Sequence, residues 1–191
     1  MWRARGARRC RGQRHEPRAL EHGPARNLCR GAAHRHVARG DRPPAAADRQ
    51  QLLAAIELSR KCPPSQTAYS VGAIIVDADG AKLAEGYSRE VDDHVHAEEG
   101  AIAKLDVAAL DLSAATIYSS MEPCSKRRSR PRTCTQLILD AGIGRVVYAL
   151  REPAHFVDCD GDELLRTAGV DVIEASDLGP LVLDVNAHAL G

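Results

Sequence analysis

The sequence predicts an α/β fold, a three-layer α/β/α sandwich with a mixed five-stranded sheet, over residues 48–191. Three observations lead there. Val71-Gly72-Ala73-Ile74-Ile75-Val76 is a short apolar run closed by Asp79-Gly80, a strand-and-turn signature that makes the first two strands a hairpin. After the hairpin, helical and strand-like segments alternate, which requires crossover connections and parallel pairing. The Val71–Val76 run suits a buried strand, and the crossover helices are expected to cover both faces of the sheet.

The elements follow in order. Leu52, Leu53, Ile56 and Leu58 recur at helical spacing from Asp48 onward, and Cys62-Pro63-Pro64 ends that helix. Strands are predicted within Tyr69 to Asp77 and from Lys82 to Tyr87. Beyond them come a helix at 95–105, a strand at 115–121, a helix at 132–141, a strand at 145–150, a helix at 162–168 and a strand at 170–174. Pro131 suits a first helical position, and Gly142 a residue just past a helix end. Leu181 to Leu190 forms a short terminal docking helix, and no repeat or second domain is visible.

Charge divides the chain. Residues 1–47 hold 12 arginines against Glu16, Glu21 and Asp41, whereas the net charge of the whole chain is zero, so residues 48–191 are strongly acidic. The first 47 residues have almost no β-branched side chains and no apolar period, so they cannot bury enough surface to offset ordering; they are expected to be disordered. They read as a basic arm, a transit-like presequence or, the reading preferred here, residues upstream of the true start. An acidic folded part argues against long nucleic acid as substrate. No apolar stretch approaches the roughly 18–20 residues of a membrane span, so no membrane association and a cytoplasmic location are expected. Six scattered cysteines without small-scaffold spacing fit a reducing compartment.

His96-Ala97-Glu98, followed by Pro123-Cys124 and then Cys134, carries the chemistry. One imidazole and two thiolates give Zn²⁺ three protein ligands and leave a fourth position open, the signature of a catalytic rather than a structural site. Such a metal brings the pKa of a bound water down to about 7. Glu98, two positions after His96, is the candidate proton carrier and is not a ligand. Glu99 is turned about 100° around the helix from it and is read as a solvated or supporting residue. His94 is read as a surface or pocket-rim residue and Glu122 as orienting the Cys124 loop or pairing with a nearby arginine; Cys159 and His155 are the candidates for a fourth ligand, and Cys159 is read as a buried thiol or loop residue. Helix N-termini at both halves of the site are expected to favour thiolates at Cys124 and Cys134.

Between the two cysteines lie five basic residues, Lys126, Arg127, Arg128, Arg130 and Arg132. The bland reading is a solvated loop. The functional one is a clamp on a single substrate phosphate by Arg127, Arg128 and Arg130, for which the planar guanidinium fork is well shaped.

Residues 50–175 resemble the cytidine deaminase-like superfamily, and within it the pyrimidine deaminase of riboflavin biosynthesis. The resemblance rests on Val71 to Asp77, Gly86-Tyr87, His96-Ala97-Glu98, Ile117-Tyr118, Met121-Glu122-Pro123-Cys124-Ser125 and Ala141 to Ala149. It implies hydrolytic deamination of an aminopyrimidine, with a diaminopyrimidinone ribosyl phosphate as leading substrate and Glu98 returning protons to ring nitrogen and departing ammonia. It also implies a homo-oligomer, a dimer or tetramer. Bifunctional members carry a reductase after the deaminase, which residues 48–191 have no room for, so a reductase would be a separate protein. Nine residues separate Cys124 from Cys134 where that enzyme has eight, Ala68-Tyr69 replaces its Asn-Pro, and Ser88 replaces a histidine. Tyr69 and Glu90 resemble nucleoside-type cytidine deaminases instead, so Tyr69, Ser88 and Glu90 are the candidate substrate contacts. The alternatives are a cytidine, deoxycytidylate or antibiotic-nucleoside deaminase, then a nucleic-acid base deaminase or a non-catalytic zinc-binding module.

Overall fold

Five strands form one sheet in the order β2-β1-β3-β4-β5. The computed structural model describes residues 42–151 and 160–190; most of the predicted basic tail, with His155 and Cys159, lies outside the described residues. The strands are β1 (Gly72–Val76), β2 (Lys82–Tyr87), β3 (Thr116–Met121), β4 (Arg145–Leu150) and β5 (Asp171–Glu174). β1 runs antiparallel to both β2 and β3, while β3, β4 and β5 are mutually parallel, so the sheet is mixed as expected.

Strand residues alternate between two apolar layers because successive side chains leave a strand on opposite faces. Ile74, Val76, Tyr118, Val147 and Ile173 pack on one face with Leu52, Ile56 and Val182 of α1 (Ala46–Ser59) and α5 (Gly179–Val185). Ala73, Ile75, Ile117, Val146 and Val172 pack on the other with Ala97, Ala101, Ile138 and Leu165 of α2 (Ala97–Ile102), α3 (Cys134–Asp140) and α4 (Gly161–Thr167). The chain closes with a 3₁₀ turn at Ser176–Leu178 and with α6 (Ala187–Leu190), so the predicted terminal helix is two short ones, broken at Asn186.

Helix starts differ from expectation where capping decides them. α1 begins at Ala46, two residues ahead of the predicted domain start, because the Asp48 carboxylate accepts the backbone N–H of Ala45 at 3.0 Å. α3 begins at Cys134 and not at Arg132. Thr133 and Gln136 form a reciprocal capping box, each side chain bonding the other's backbone N–H. Pro131 therefore precedes the helix. No helix among the described residues is long and apolar enough to cross a membrane.

One strand edge collects the functional loops. Antiparallel pairing of Ala73 with Ser119 and of Gly72 with Tyr87 brings the start of β1, the end of β2 and the end of β3 together. α2 sits directly on β2: a Cβ at Gly86 would lie 2.4 Å from the carbonyl oxygen of Ala97 and 2.5 Å from the nitrogen of Ala101. Gly86→Ala must therefore push away the helix that carries His96 and Glu98. It is expected to cost about 1–3 kcal/mol, measured by urea unfolding, and to weaken zinc binding in a metal titration.

Candidate metal centre and active-site pocket

His96, Cys124 and Cys134 converge from three loops and helix starts. His96 is the residue before α2, Cys124 follows β3, and Cys134 opens α3. The His96 Nδ1 atom lies 3.5 Å from Cys124 Sγ and 3.4 Å from Cys134 Sγ, and all three donor atoms fall within 4.8 Å of one another. Zinc bonds of 2.3 Å to sulfur and 2.0–2.1 Å to nitrogen in a tetrahedron require N···S separations of about 3.5 Å. Both N···S separations already match what such an ion needs, and an imidazole with two thiols is a donor set that suits zinc rather than calcium or magnesium.

Backbone groups hold the sulfurs in place. The Cys134 N–H donates to Cys124 Sγ at 3.5 Å, and the Thr135 N–H and hydroxyl both donate to the Cys124 carbonyl. Glu122, buried, accepts the N–H of Asp162 and so caps α4 from outside, which ties the Cys124 loop down as expected for this residue. The fit is close: a Cβ at Gly161 would stand 2.0 Å from the Pro123 carbonyl oxygen.

Electrostatics sort the donors. A hydrogen bond from the Cys134 thiol lowers Cys124, against the opposing effect of burial, and His96 adds to it, bringing the pKa from 9.0 to about 4. Cys134 moves the other way, because it donates to that thiolate, is fully buried and lies beside Glu98. Burial disfavours the His96 imidazolium, but the Cys124 thiolate and Glu98 outweigh it and raise its pKa.

Glu98 is 3% exposed, and burial pushes its carboxyl above the usual range. Its Oε1 accepts the Ser119 hydroxyl at 2.7 Å. Sequence reasoning missed Ser119, although Ser119-Ser120 is a polar pair at the end of an otherwise apolar buried strand, just ahead of the metal loop. Ser120 is structural, its hydroxyl accepting the Gly72 N–H.

A cavity of about 730 Å³ opens over this cluster, lined among others by His96, Glu98, Cys124, Tyr69, Ser88 and Arg128. That is ample for a nucleotide-sized ligand. Of the other candidate contacts, Tyr69 is buried in the wall, and the Ser88 hydroxyl accepts the Val71 N–H while facing the cavity. His94 is on the lining. Glu90 is not brought to the cavity lining; Lys104 holds both its oxygens at 2.7 and 2.8 Å. Arg127 lines the cavity, but its side chain is 3% exposed and bonded to the Glu99 carboxylate and the His94 carbonyl. Arg130 pairs with Asp92 and Glu99 and is absent from the lining. Glu99 therefore supports the loop by pairing with its arginines, and of the three-arginine clamp only Arg128 is an exposed side chain on the cavity.

A three-donor zinc cluster with a buried glutamate two residues past its histidine defines the zinc-dependent nucleobase deaminase class. Residues 46–150 match the family described as the cytidine and deoxycytidylate deaminase zinc-binding region, and the chain belongs to that family. Among curated relatives, the diaminohydroxyphosphoribosylamino-pyrimidine deaminase of Schizosaccharomyces pombe is 44% identical over 127 residues, covering 65% of this chain and 31% of that protein. This chain thus spans under a third of that relative's length. A crystal structure of the diaminohydroxyphosphoribosylaminopyrimidine deaminase/5-amino-6-(5-phosphoribosylamino)uracil reductase from Thermotoga maritima superposes with a TM-score of 0.66 at 32% identity, covering 75% of this chain and 40% of that one. The Aspergillus oryzae Rib2 deaminase shares the fold with a TM-score of 0.66 at 24% identity, over 75% of this chain and 92% of that one.

Proposed function

We propose that this protein hydrolytically deaminates an aminopyrimidine carrying a ribosyl phosphate, with the diaminopyrimidinone of riboflavin biosynthesis as its leading substrate. The observation that carries the reading is the buried Glu98 carboxylate, fixed by Ser119, on the lining of the same cavity as His96 and Cys124, with Cys134 buried behind them within 4.8 Å. Two relatives, at 44% and 32% identity, are named as deaminases of a diaminohydroxyphosphoribosylaminopyrimidine, which supports this pyrimidine over cytidine.

His96, Cys124 and Cys134 would hold zinc, which when bound supplies an acidified water as the nucleophile. Water adds at the ring carbon bearing the exocyclic amine, the carbon–nitrogen bond breaks, and the products are a ring carbonyl and ammonia. Glu98 carries the protons. With Oε1 held by Ser119, the carboxylate takes one proton of the water and gives it to the ring nitrogen as the oxygen adds, then takes the second from the new hydroxyl and gives it to the amine, which leaves as ammonia while the carbonyl forms. Tyr69 and Ser88 bound the ring and sugar, and Arg128 is the side chain placed to meet a phosphate.

An ammonia-release assay of the zinc-loaded protein over the riboflavin-pathway pyrimidine, cytidine, cytidine monophosphate and deoxycytidylate tests the substrate. Turnover of cytidine in preference to the diaminopyrimidinone phosphate would overturn the assignment. Arg128→Ala is expected to raise KM for the phosphorylated substrate about tenfold or more, on the order of the 1.5–3 kcal/mol of a charge-assisted hydrogen bond, and to leave KM for a nucleoside unchanged. Equal effects on both would remove the phosphate role.

A further inference from the structure

One wall of the cavity, Thr67 to Val71, belongs to neither helix nor strand, so its backbone groups must find partners elsewhere. At Tyr69 and Ser70 two distant side chains supply them. Asn186, 1% exposed at the end of α5, accepts the Ser70 N–H on Oδ1 at 2.6 Å and returns an Nδ2 donor to the Ser70 carbonyl at 3.1 Å, while Nδ2 also donates to the Val182 carbonyl at 3.0 Å. Its amide thus acts as a neighbouring strand would, closing a two-bond ring on one residue. From the other side comes Arg89, whose backbone stands at φ 64°, a left-handed value rare for a residue with a side chain. Its guanidinium donates to the Tyr69 carbonyl at 3.0 Å, to the Ser70 hydroxyl at 3.2 Å and twice to the Pro63 carbonyl.

We infer that Asn186 and Arg89 are positioning residues which set the place of Tyr69 and hence the fit of the substrate, so that α5 frames the binding pocket. Asn186 lies 36 residues beyond the matched family region and is absent from the cavity lining, so whatever it does to substrate binding passes through the wall. A core asparagine meant only to end α5 would need its bond to Val182; the reciprocal pair with Ser70 is additional. Left-handed backbone at Arg89 points the same way, because in that conformation the guanidinium meets two successive wall residues, Tyr69 and Ser70, together with the Pro63 carbonyl.

The inference rests on the deaminase reading, and the test separates the two. In the zinc-loaded full chain, Asn186→Ala is expected to raise KM about tenfold with kcat within about threefold and zinc content unchanged, because the wall moves while the metal ligands stay. Amide hydrogen exchange over residues 67–71 is expected to quicken about tenfold or more without a matching change in β3. Should Asn186→Ala fail to fold, Arg89→Gly carries the test, since glycine accepts the left-handed backbone and only the guanidinium is lost. Unchanged KM and unchanged exchange in the folded variant, or equal loss of kcat and zinc, would overturn the positioning role. If the unsubstituted protein releases ammonia from none of the pyrimidines offered, the deaminase reading has failed, and exchange at 67–71 still decides whether these side chains hold the wall.

Discussion

Glu98→Gln is expected to lower kcat by about 10²–10⁴-fold while zinc content stays at one per chain, the range general acid–base catalysis contributes. The substitution keeps size and the acceptor for the Ser119 hydroxyl, so the cavity floor keeps its shape. What it removes is an oxygen that can take up and release a proton. A glutamate that merely supported the metal would behave differently, because its replacement would loosen zinc and spare turnover in excess metal. Metal analysis of the purified variant beside an ammonia-release assay distinguishes the two. Activity near that of the parent protein with zinc bound would remove Glu98 from the chemistry and favour a zinc-binding module without turnover. Chelation is the companion measurement, expected to abolish activity in the parent protein and to be reversed by added zinc.

Much of this site could be read from the chain because its members are marked by residue type and short spacing. His96-Ala97-Glu98 puts a ligand at a helix entry and a carboxylate just inside it, and Pro123-Cys124 follows a buried strand. The fold was legible for a similar reason: apolar runs, the Asp79-Gly80 turn and the later alternation of elements are all local signals. Pairings between distant residues were not legible. Arg127 and Arg130 look in sequence like free cations in a basic loop, yet Glu99 and Asp92, about 30–40 positions earlier, neutralise them. Charge along a chain does not say which cations meet a carboxylate once folded. Ser119, Arg89 and Asn186 escaped notice because each acts through hydrogen bonds to residues about 20 or more positions away along the chain. The start of α3 was legible in principle, since Thr133 and Gln136 stand at capping-box spacing; the competing signal of Pro131 drew the boundary too early.

The largest effect on stability is expected at the Arg145–Asp48 pair, which joins α1 to the sheet. Two guanidinium nitrogens of Arg145 meet the two Asp48 oxygens at 2.7 Å each, and the Tyr118 hydroxyl and Ala45 N–H complete the carboxylate's partners. Asp48 is 4% exposed, so burial by itself would raise its pKa. Arg145, Tyr118 and the Ala45 N–H overcome that and bring it from 3.8 to about 2. The folded pKa being the lower, this group's contribution of roughly 2 kcal/mol is present above about pH 4 and is lost as pH falls toward 2. Arg145→Ala would leave the carboxylate buried without its cation and is expected to cost about 3–5 kcal/mol at pH 7. Its deficit should shrink as pH falls through the weakly acidic range, where the orphaned buried carboxyl takes a proton, and further below about 4, where the parent protein loses the advantage of its ion pair. Asp48→Asn combined with Arg145→Ala should be less damaging than the sum of the single changes, because no unpaired charge remains. Urea midpoints for the four proteins between pH 3 and 8 check this. A deficit in Arg145→Ala that is independent of pH would show that the arginine stabilises the fold through packing of its stem and not through the charge of Asp48.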